Sequence, residues 1–394
     1  MNIGIDVRTL MDKYYSGVST YSLNLIQELL KIDKDNNYFL YYNSAKKINL
    51  PKLEGNYKLV ATKYPNKIFN YILQKNLSWP KLDKVLGGVD VFLAPHYNFL
   101  SLSNDTKKIL TIHDLSFLRY PEFFSSRKNF WHQAINIKKL ANSMDMIVTV
   151  SENTKQDVLE LLNIKEEKVK VIYSGLENSF HDLLSNLEND SLNTEIDQGK
   201  LRSVKEKYDL PDKYILSLSN LEPRKNLETL ISAYNKIRDE NHDFKDIKLV
   251  ICGVKGWKYK NIFKSIKKSK YSEDIIYTSY IDNIDKPYIY RQAKVFVYPS
   301  FYEGFGFPPL EAMASAVPVV ASFSSSLPEL IDKAGILVDP KSSDELAFAI
   351  SRLLTDKKLR DYYVDKGFKR AKEFSWQKTA QNYIELFNTL KYGK

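Results

Sequence analysis

The chain has 394 residues, 43% hydrophobic and 27% charged, which is enough apolar material for two ordinary domains that each bury a core and excludes a disordered chain. Its net charge of +10 points to acidic partners (nucleic acid, anionic lipid or a phosphorylated substrate), and because its lysines are scattered and no nucleic-acid module occurs, nucleic acid is set aside. A single Cys252, inside the apolar run KLVICG, excludes disulfides within the chain, and five histidines with no Cys/His cluster leave little material for a structural zinc site.

In chain order, the opening MNIGIDVRTL reads as a strand rather than a leader, and no run of 18 or more apolar residues appears, so a cytoplasmic protein is expected. The turn after that strand carries Gly17, followed by a helical pattern with apolar Val18, Tyr21, Leu25 and Leu29. Strand-like runs follow at YFLYYN and YKLVAT. Residues 63–84 then mix five Lys and one Asp with Phe69, Tyr71, Ile72, Leu77 and Trp79. Two readings fit this stretch equally: an interfacial segment on an anionic membrane leaflet, or an ordinary helix packed on the first domain. The runs VDVFLAP and KILTIHD end in His96 and in His113 with Asp114, at strand ends where open α/β sheets bind ligands. A histidine so placed can donate to a sugar hydroxyl or a phosphate near neutral pH. MDMIVTV and KVKVIYSG complete the first half, and residues 177–208 are polar enough to read as a linker or insertion with some helix in it.

The second half repeats the alternation with KYILSLS, IKLVICG, IIYTSYI, VFVYPS, VPVVAS and GILVDP, the pattern of doubly wound α/β layers. Arg224 and Lys225 follow KYILSLS and precede a helix, a position where cations oppose the helix dipole and so need another reason to be there. Two fixed cations make an anion trap that fits a diphosphate, each charge-assisted bond contributing about 1.5–3 kcal/mol. The most informative stretch is FYEGFGFPPLEAMA, where Glu303 and Glu311 flank one strand-to-helix corner. Gly304 and Gly306 let the backbone approach a guest, and Pro308 and Pro309 suit a first helical turn, giving a polar cup with exposed amides and carboxylates able to accept from sugar hydroxyls. No G-x-G-x-x-G follows the first strand, which counts against a nicotinamide or flavin enzyme.

Together with LEPRKNLETLISAY, PVVASFSSSLPEL, IGIDVRTL, TIHDLSFLRYPEFF, IVTVSENTKQDVLELL and AKEFSWQKTA, this corner resembles the family 4 retaining glycosyltransferases, nearest the bacterial mannosyl- and rhamnosyltransferase-like branch that builds surface polysaccharides. The resemblance implies an α/β fold of two facing Rossmann-like domains (GT-B) with a cleft between them. Residues 1–176 would bind the acceptor, 177–208 would link, 209–374 would bind the nucleotide-sugar donor, and a C-terminal helix in 375–394 would cross back onto the first domain. It also implies that Arg224 and Lys225 hold the donor diphosphate, Glu303 approaches the donor sugar and Glu311 the ribose, and the amides of Phe305 and Gly306 contact sugar and phosphate. By the same resemblance His113 would act at the reaction centre when the cleft closes, with Asp114 as an orienting or structural partner, while their placement at strand ends makes His96 and Asp114 weaker acceptor-side candidates. Metal-independent transfer of a sugar, mannose from guanosine diphosphate by analogy, to a glycan or lipid-linked acceptor would follow, with the protein cytoplasmic or peripheral on the inner membrane face. Ser19 stands where many relatives have a second glycine, which weakens the donor contact expected of the Gly17 loop, and Ala316 replaces another glycine. Two other functions remain open on the same scaffold: a sugar-nucleotide epimerase or hydrolase, and a non-catalytic sugar-nucleotide-binding protein.

Overall fold

The computed structural model describes residues 1–11, 15, 17–65, 69, 80–188 and 195–393. The chain divides into two compact units: Met1–Arg119, Ser126–Gly175 and Ser375–Lys394 form the first, Tyr120–Ser125 and Leu176–Phe374 the second. Each is built on one parallel sheet, and each of the thirteen strand-like runs in the sequence contains an observed strand.

The first sheet comprises β1 (Asn2–Asp6), β2 (Asn37–Asn43), β3 (Tyr57–Thr62), β4 (Val91–Ala94), β5 (Lys107–Ile112), β6 (Met146–Thr149) and β7 (Val169–Val171), in the order β3-β2-β1-β4-β5-β6-β7. The second comprises β8 (Tyr214–Leu218), β9 (Lys248–Cys252), β10 (Ile275–Thr278), β11 (Val295–Tyr298), β12 (Val319–Ser322) and β13 (Ile336–Val338), in the order β10-β9-β8-β11-β12-β13. The central strands are buried along their whole length, as VFLA in β4 and VFVY in β11, because helices cover both faces of a parallel sheet and leave no solvent side to alternate toward. In both sheets the order reverses once, between β1 and β4, where Ile3 pairs with Val91, and between β8 and β11, where Ile215 pairs with Val295. At such a reversal the connections leave to opposite sides, opening a crevice at the carboxyl ends of the strands.

The last helix, Trp376–Tyr392, belongs to the first unit. Its Tyr383 hydroxyl lies 2.8 Å from that of Tyr21 on the helix Gly17–Ile32 and 2.7 Å from Thr111 Oγ1 on β5, all three out of water. Three hydroxyls that would each be costly to bury alone thus satisfy one another. Ser375 caps the helix by accepting from the Lys378 amide at 3.2 Å. The chain passes so close to this cap that a Cβ on Gly175 would lie 2.1 Å from the Trp376 nitrogen, so only glycine fits there. In the 177–208 stretch the helices Asn178–Glu188 and Glu195–Lys207 group with the second unit, where Phe180 meets Tyr290 edge to face at 5.9 Å.

Candidate active site

At the reversal of the second sheet, the turn Pro223–Lys225 leaves β8 and the corner after β11 carries Glu303. Asn226 closes the turn in a left-handed conformation (φ 55°), which asparagine tolerates, and its amide donates to the carbonyls of Pro299 at 3.0 Å and Pro340 at 2.6 Å. That fastens the turn to the end of β11. Arg224 donates to Glu303 Oε2 at 3.0 Å, to Glu222 Oε1 at 2.9 Å and to the Tyr302 carbonyl at 2.6 Å; Lys225 donates to Glu303 Oε1 at 2.6 Å and to the Tyr298 hydroxyl at 2.7 Å. The two cations and Glu303 are therefore not on opposite walls of an open cup. They form one buried network.

Its electrostatics follow from burial and neighbours. Desolvation pushes the Glu303 carboxyl up, but Arg224 and Lys225 outweigh it and hold the group at about 2. Desolvation and the adjacent Arg224 push the Lys225 ammonium below its ordinary range, which Glu303 only partly offsets. An added anion beside Lys225 would relieve that mismatch. Glu222 Oε2 is buried without a partner among the described residues.

The loop after Glu303 is packed, not open. Gly304, Phe305 and Gly306 are buried; Phe305 meets Phe307 at 5.2 Å and Phe374 at 5.8 Å, and Ser326 donates to the carbonyls of Glu303 at 3.0 Å and Phe305 at 2.9 Å. Gly306 has φ 113°, a conformation that favours glycine, and a Cβ there would meet the side-chain tips Leu330 Cδ2 at 2.9 Å and Leu327 Cδ2 at 3.0 Å, which would have to move. The helix Phe307–Ala314 starts immediately after, with prolines in its first turn. One turn along, Glu311 is buried, accepting from the Tyr290 hydroxyl at 2.8 Å and lying 3.8 Å from Lys286 Nζ. Desolvation lowers the Lys286 pKa, but Glu311 and Glu177 more than reverse it, so the ammonium stays charged. Tyr298, Tyr290, Lys286 and Glu222 are site residues that the sequence did not single out. Only Tyr298, at the end of the strand entering the corner, had a local signal.

In the first unit, His113 follows β5 and sits edge to face with Tyr21 at 4.6 Å. Its Nε2 lies 2.7 Å from the Pro95 carbonyl, which can only accept, so Nε2 carries the proton and Nδ1 the lone pair. Burial holds its pKa down at about 4. With that N–H taken by the Pro95 carbonyl, Nδ1 is the nitrogen of the neutral ring left to accept. Asp114 accepts from the amide of Ser116 at 2.9 Å and from its hydroxyl, starting the next helix. His96, 5.8 Å from His113 between ring centroids, is held at about 3 by burial and by the neighbouring imidazoles. Gly17 is exposed at the start of its helix. Most of residues 66–79 in the basic aromatic stretch lie outside the described residues; within it, Phe69 is buried and stacks on Tyr64 at 5.4 Å. Among the described residues no helix is long and apolar enough to cross a membrane, and no cluster of three His, Cys, Asp or Glu is placed to hold a metal ion.

Residues 200–370 match the family model "Glycosyl transferases group 1" and residues 15–180 match "Glycosyltransferase Family 4". The chain is 26% identical to the O-antigen chain mannosyltransferase B of Escherichia coli over 95% of its own length and 96% of that protein. It is 30% identical to the serotype-specific mannosyltransferase WbdA of the same species over 72% of its own length, but spans only 34% of that longer protein. Among solved structures, Anabaena HepE in complex with UDP-glucose superposes with a TM-score of 0.72 at 17% identity, covering 99% of this chain and 100% of that one, a likeness of fold. With one glycosyltransferase model matching most of each half, the chain belongs to the group 1, family 4 glycosyltransferases.

Proposed function

We propose that the chain moves a hexose, mannose by analogy with its relatives, from a nucleoside diphosphate to a hydroxyl of a growing surface glycan, with retention at the anomeric carbon. The observation that carries this is the pair Arg224 and Lys225 gripping the buried carboxylate of Glu303 at the reversal of the second sheet. A site that stabilises one anion so strongly is chemically suited to the β-phosphate of a departing nucleoside diphosphate, where charge builds as the glycosidic bond to phosphate breaks. Glu303 keeps both cations charged and oriented and presents a carboxylate to sugar hydroxyls. Glu311, fixed by Tyr290 and Lys286, is suited to the paired hydroxyls of a ribose. Phe305 and Gly306 shape the loop between them, and Gly17 is kept as a donor contact of the first unit.

The acceptor oxygen must lose a proton as it attacks. His113, at about 4, is a weak base, whereas a phosphate monoester oxygen has a second pKa near about 6. The leaving phosphate therefore takes the proton on the face it vacates, the acceptor enters on that same face, and His113 Nδ1 orients a hydroxyl instead of deprotonating it. Asp114 steadies the loop, and no metal is required for the charge at phosphate. The mannosyltransferase relatives do not favour the epimerase, hydrolase or binding-protein readings.

The test offers the protein guanosine and uridine diphosphate sugars with an α-mannose oligosaccharide, and follows the anomeric configuration of any product by proton NMR. An α-linked product from an α-linked donor, abolished in Lys225→Ala, supports the reading. An inverted product, or turnover unaltered in Lys225→Ala, refutes it.

A further inference from the structure

A row of rings runs through the first unit away from His113. Its successive centroids are His113 to His96 at 5.8 Å, His96 to Tyr97 at 4.0 Å and Tyr97 to Trp131 at 6.0 Å. His96 and Tyr97 follow β4, His113 follows β5, and Trp131 lies on the helix Ser126–Ile135, so the row starts at the carboxyl ends of the central strands. A second layer holds it in place: Trp131 meets His132 at 5.0 Å, and His132 stacks on Phe117 at 4.0 Å with ring planes 6° apart. The two ends differ. Trp131 is 37% exposed, while Tyr97 beside it is buried. At the inner end, His96 Nδ1 is shielded from water yet has no hydrogen-bond partner among the described residues. A buried polar nitrogen without a partner is costly and rare, so one aligned with an aromatic ledge calls for a ligand that supplies the missing bond.

A pyranose has an apolar C–H face that packs on an aromatic ring and hydroxyls at its edge, which is the combination this row offers. The row is too long for one pyranose and suits two or three in succession. We infer that it is an acceptor platform for an oligosaccharide of α-linked hexose, in which a non-terminal sugar packs on Trp131 and a hydroxyl of the terminal sugar fills the open position at Nδ1 of His96. This rests on the reading that the first unit takes the acceptor, and it adds the acceptor's minimum size and the residues that measure it. Because burial keeps the His96 and His113 rings neutral, neither presents a charge, which suits a neutral glycan.

The experiment titrates the full-length protein with α-mannotriose and with methyl α-mannoside, by calorimetry, and separately with the nucleotide sugar. The wild type is expected to bind the trisaccharide at least tenfold more tightly than the monosaccharide. Trp131→Ala should erase that preference, Trp131→Phe should keep most of it, and His96→Phe should weaken both glycans. Nucleotide-sugar affinity should hold in Trp131→Ala and Trp131→Phe, which also reports that they are folded. Failure of the wild type to bind the trisaccharide, or a Trp131→Ala protein that retains the full preference, overturns the platform. Failure to bind any nucleotide sugar sinks the transferase reading instead, and the two glycan titrations read out independently of it.

Discussion

Glu303→Gln keeps the shape of the side chain and removes a charge that Arg224 and Lys225 share. The Glu303 carboxyl is held at about 2 against an ordinary 4.5. At about 1.4 kcal/mol for each tenfold change in proton affinity, that difference corresponds to about 3 kcal/mol of folding stability. Removing one partner of a buried ion pair costs about 3–5 kcal/mol by a separate line of reasoning, so the two agree. The folded carboxyl keeps its charge to lower pH than the unfolded one, so this stability is complete above about pH 4.5 and is lost as the pH falls toward 2. For a domain of this size 1 kcal/mol moves the melting temperature by about 2–4 °C, so a loss of about 3–5 kcal/mol is expected to lower the melting temperature of the variant by about 6–20 °C at pH 7. Thermal melts followed by circular dichroism at pH 7, 5, 4 and 3 measure both the drop and its acid dependence, which should shrink in the variant. Adding Lys225→Met should recover part of the loss, because the ammonium left without its carboxylate is then gone as well. If Glu303→Gln melts with the wild type at pH 7 and follows the same acid profile, Glu303 is not the charged centre of this network and the electrostatic argument for the donor site fails with it.

Tyr290→Phe deletes the hydroxyl on Glu311 and should raise KM for the nucleotide sugar by up to about 10–150-fold, the worth of one hydrogen bond to a charged group, while kcat moves less. Steady-state kinetics separate the two, and a fall in kcat at constant KM would contradict the positioning role. His113→Gln should lower kcat about 10²–10³-fold with little change in melting temperature; because His113 titrates near 4, the wild-type pH–rate profile should show no inflection near 6.5 from this group. The same depressed values make His96 and His113 a liability in acid: the unfolded imidazoles bind protons near 6.5 and the folded ones resist until about 3 and about 4, so stability is whole above pH 6.5 and falls below it, which denaturant titrations at pH 7 and pH 5 would register. Gly306→Ala should cost about 1–3 kcal/mol from its positive φ alone, and lower nucleotide affinity as the loop shifts off Leu330 and Leu327; calorimetry of nucleotide binding and a melt check both.

What could be read in advance was whatever short-range pattern encodes. Apolar runs bounded by Gly, Pro and polar residues marked every strand of both sheets, since a buried parallel strand has little freedom in composition. The corner from Glu303 to Glu311 was legible because glycine, proline and carboxylate coincide within one turn. Tyr290, Lys286 and Glu222 were not, because each reaches its partner through the fold and carries no local signature: Lys286 meets Glu311 from a separate helix, and Tyr290 looks like any core aromatic until its hydroxyl is traced to a carboxylate. The tautomer of His113 was equally hidden, since it depends on where the Pro95 carbonyl comes to rest.

The place of Trp376–Tyr392 in the first unit bears on how the molecule is made. During synthesis residues 1–175 are made first, yet the Tyr383 hydroxyl that pairs with Tyr21 and Thr111 is made only after the second unit. The second unit, continuous from Leu176 to Phe374 but for a six-residue piece already made, has all its residues before the first unit receives the helix Trp376–Tyr392. A chain truncated after Phe374 and released should therefore present a protease-resistant later half and a cleavable earlier one, the reverse of the order in which they were translated.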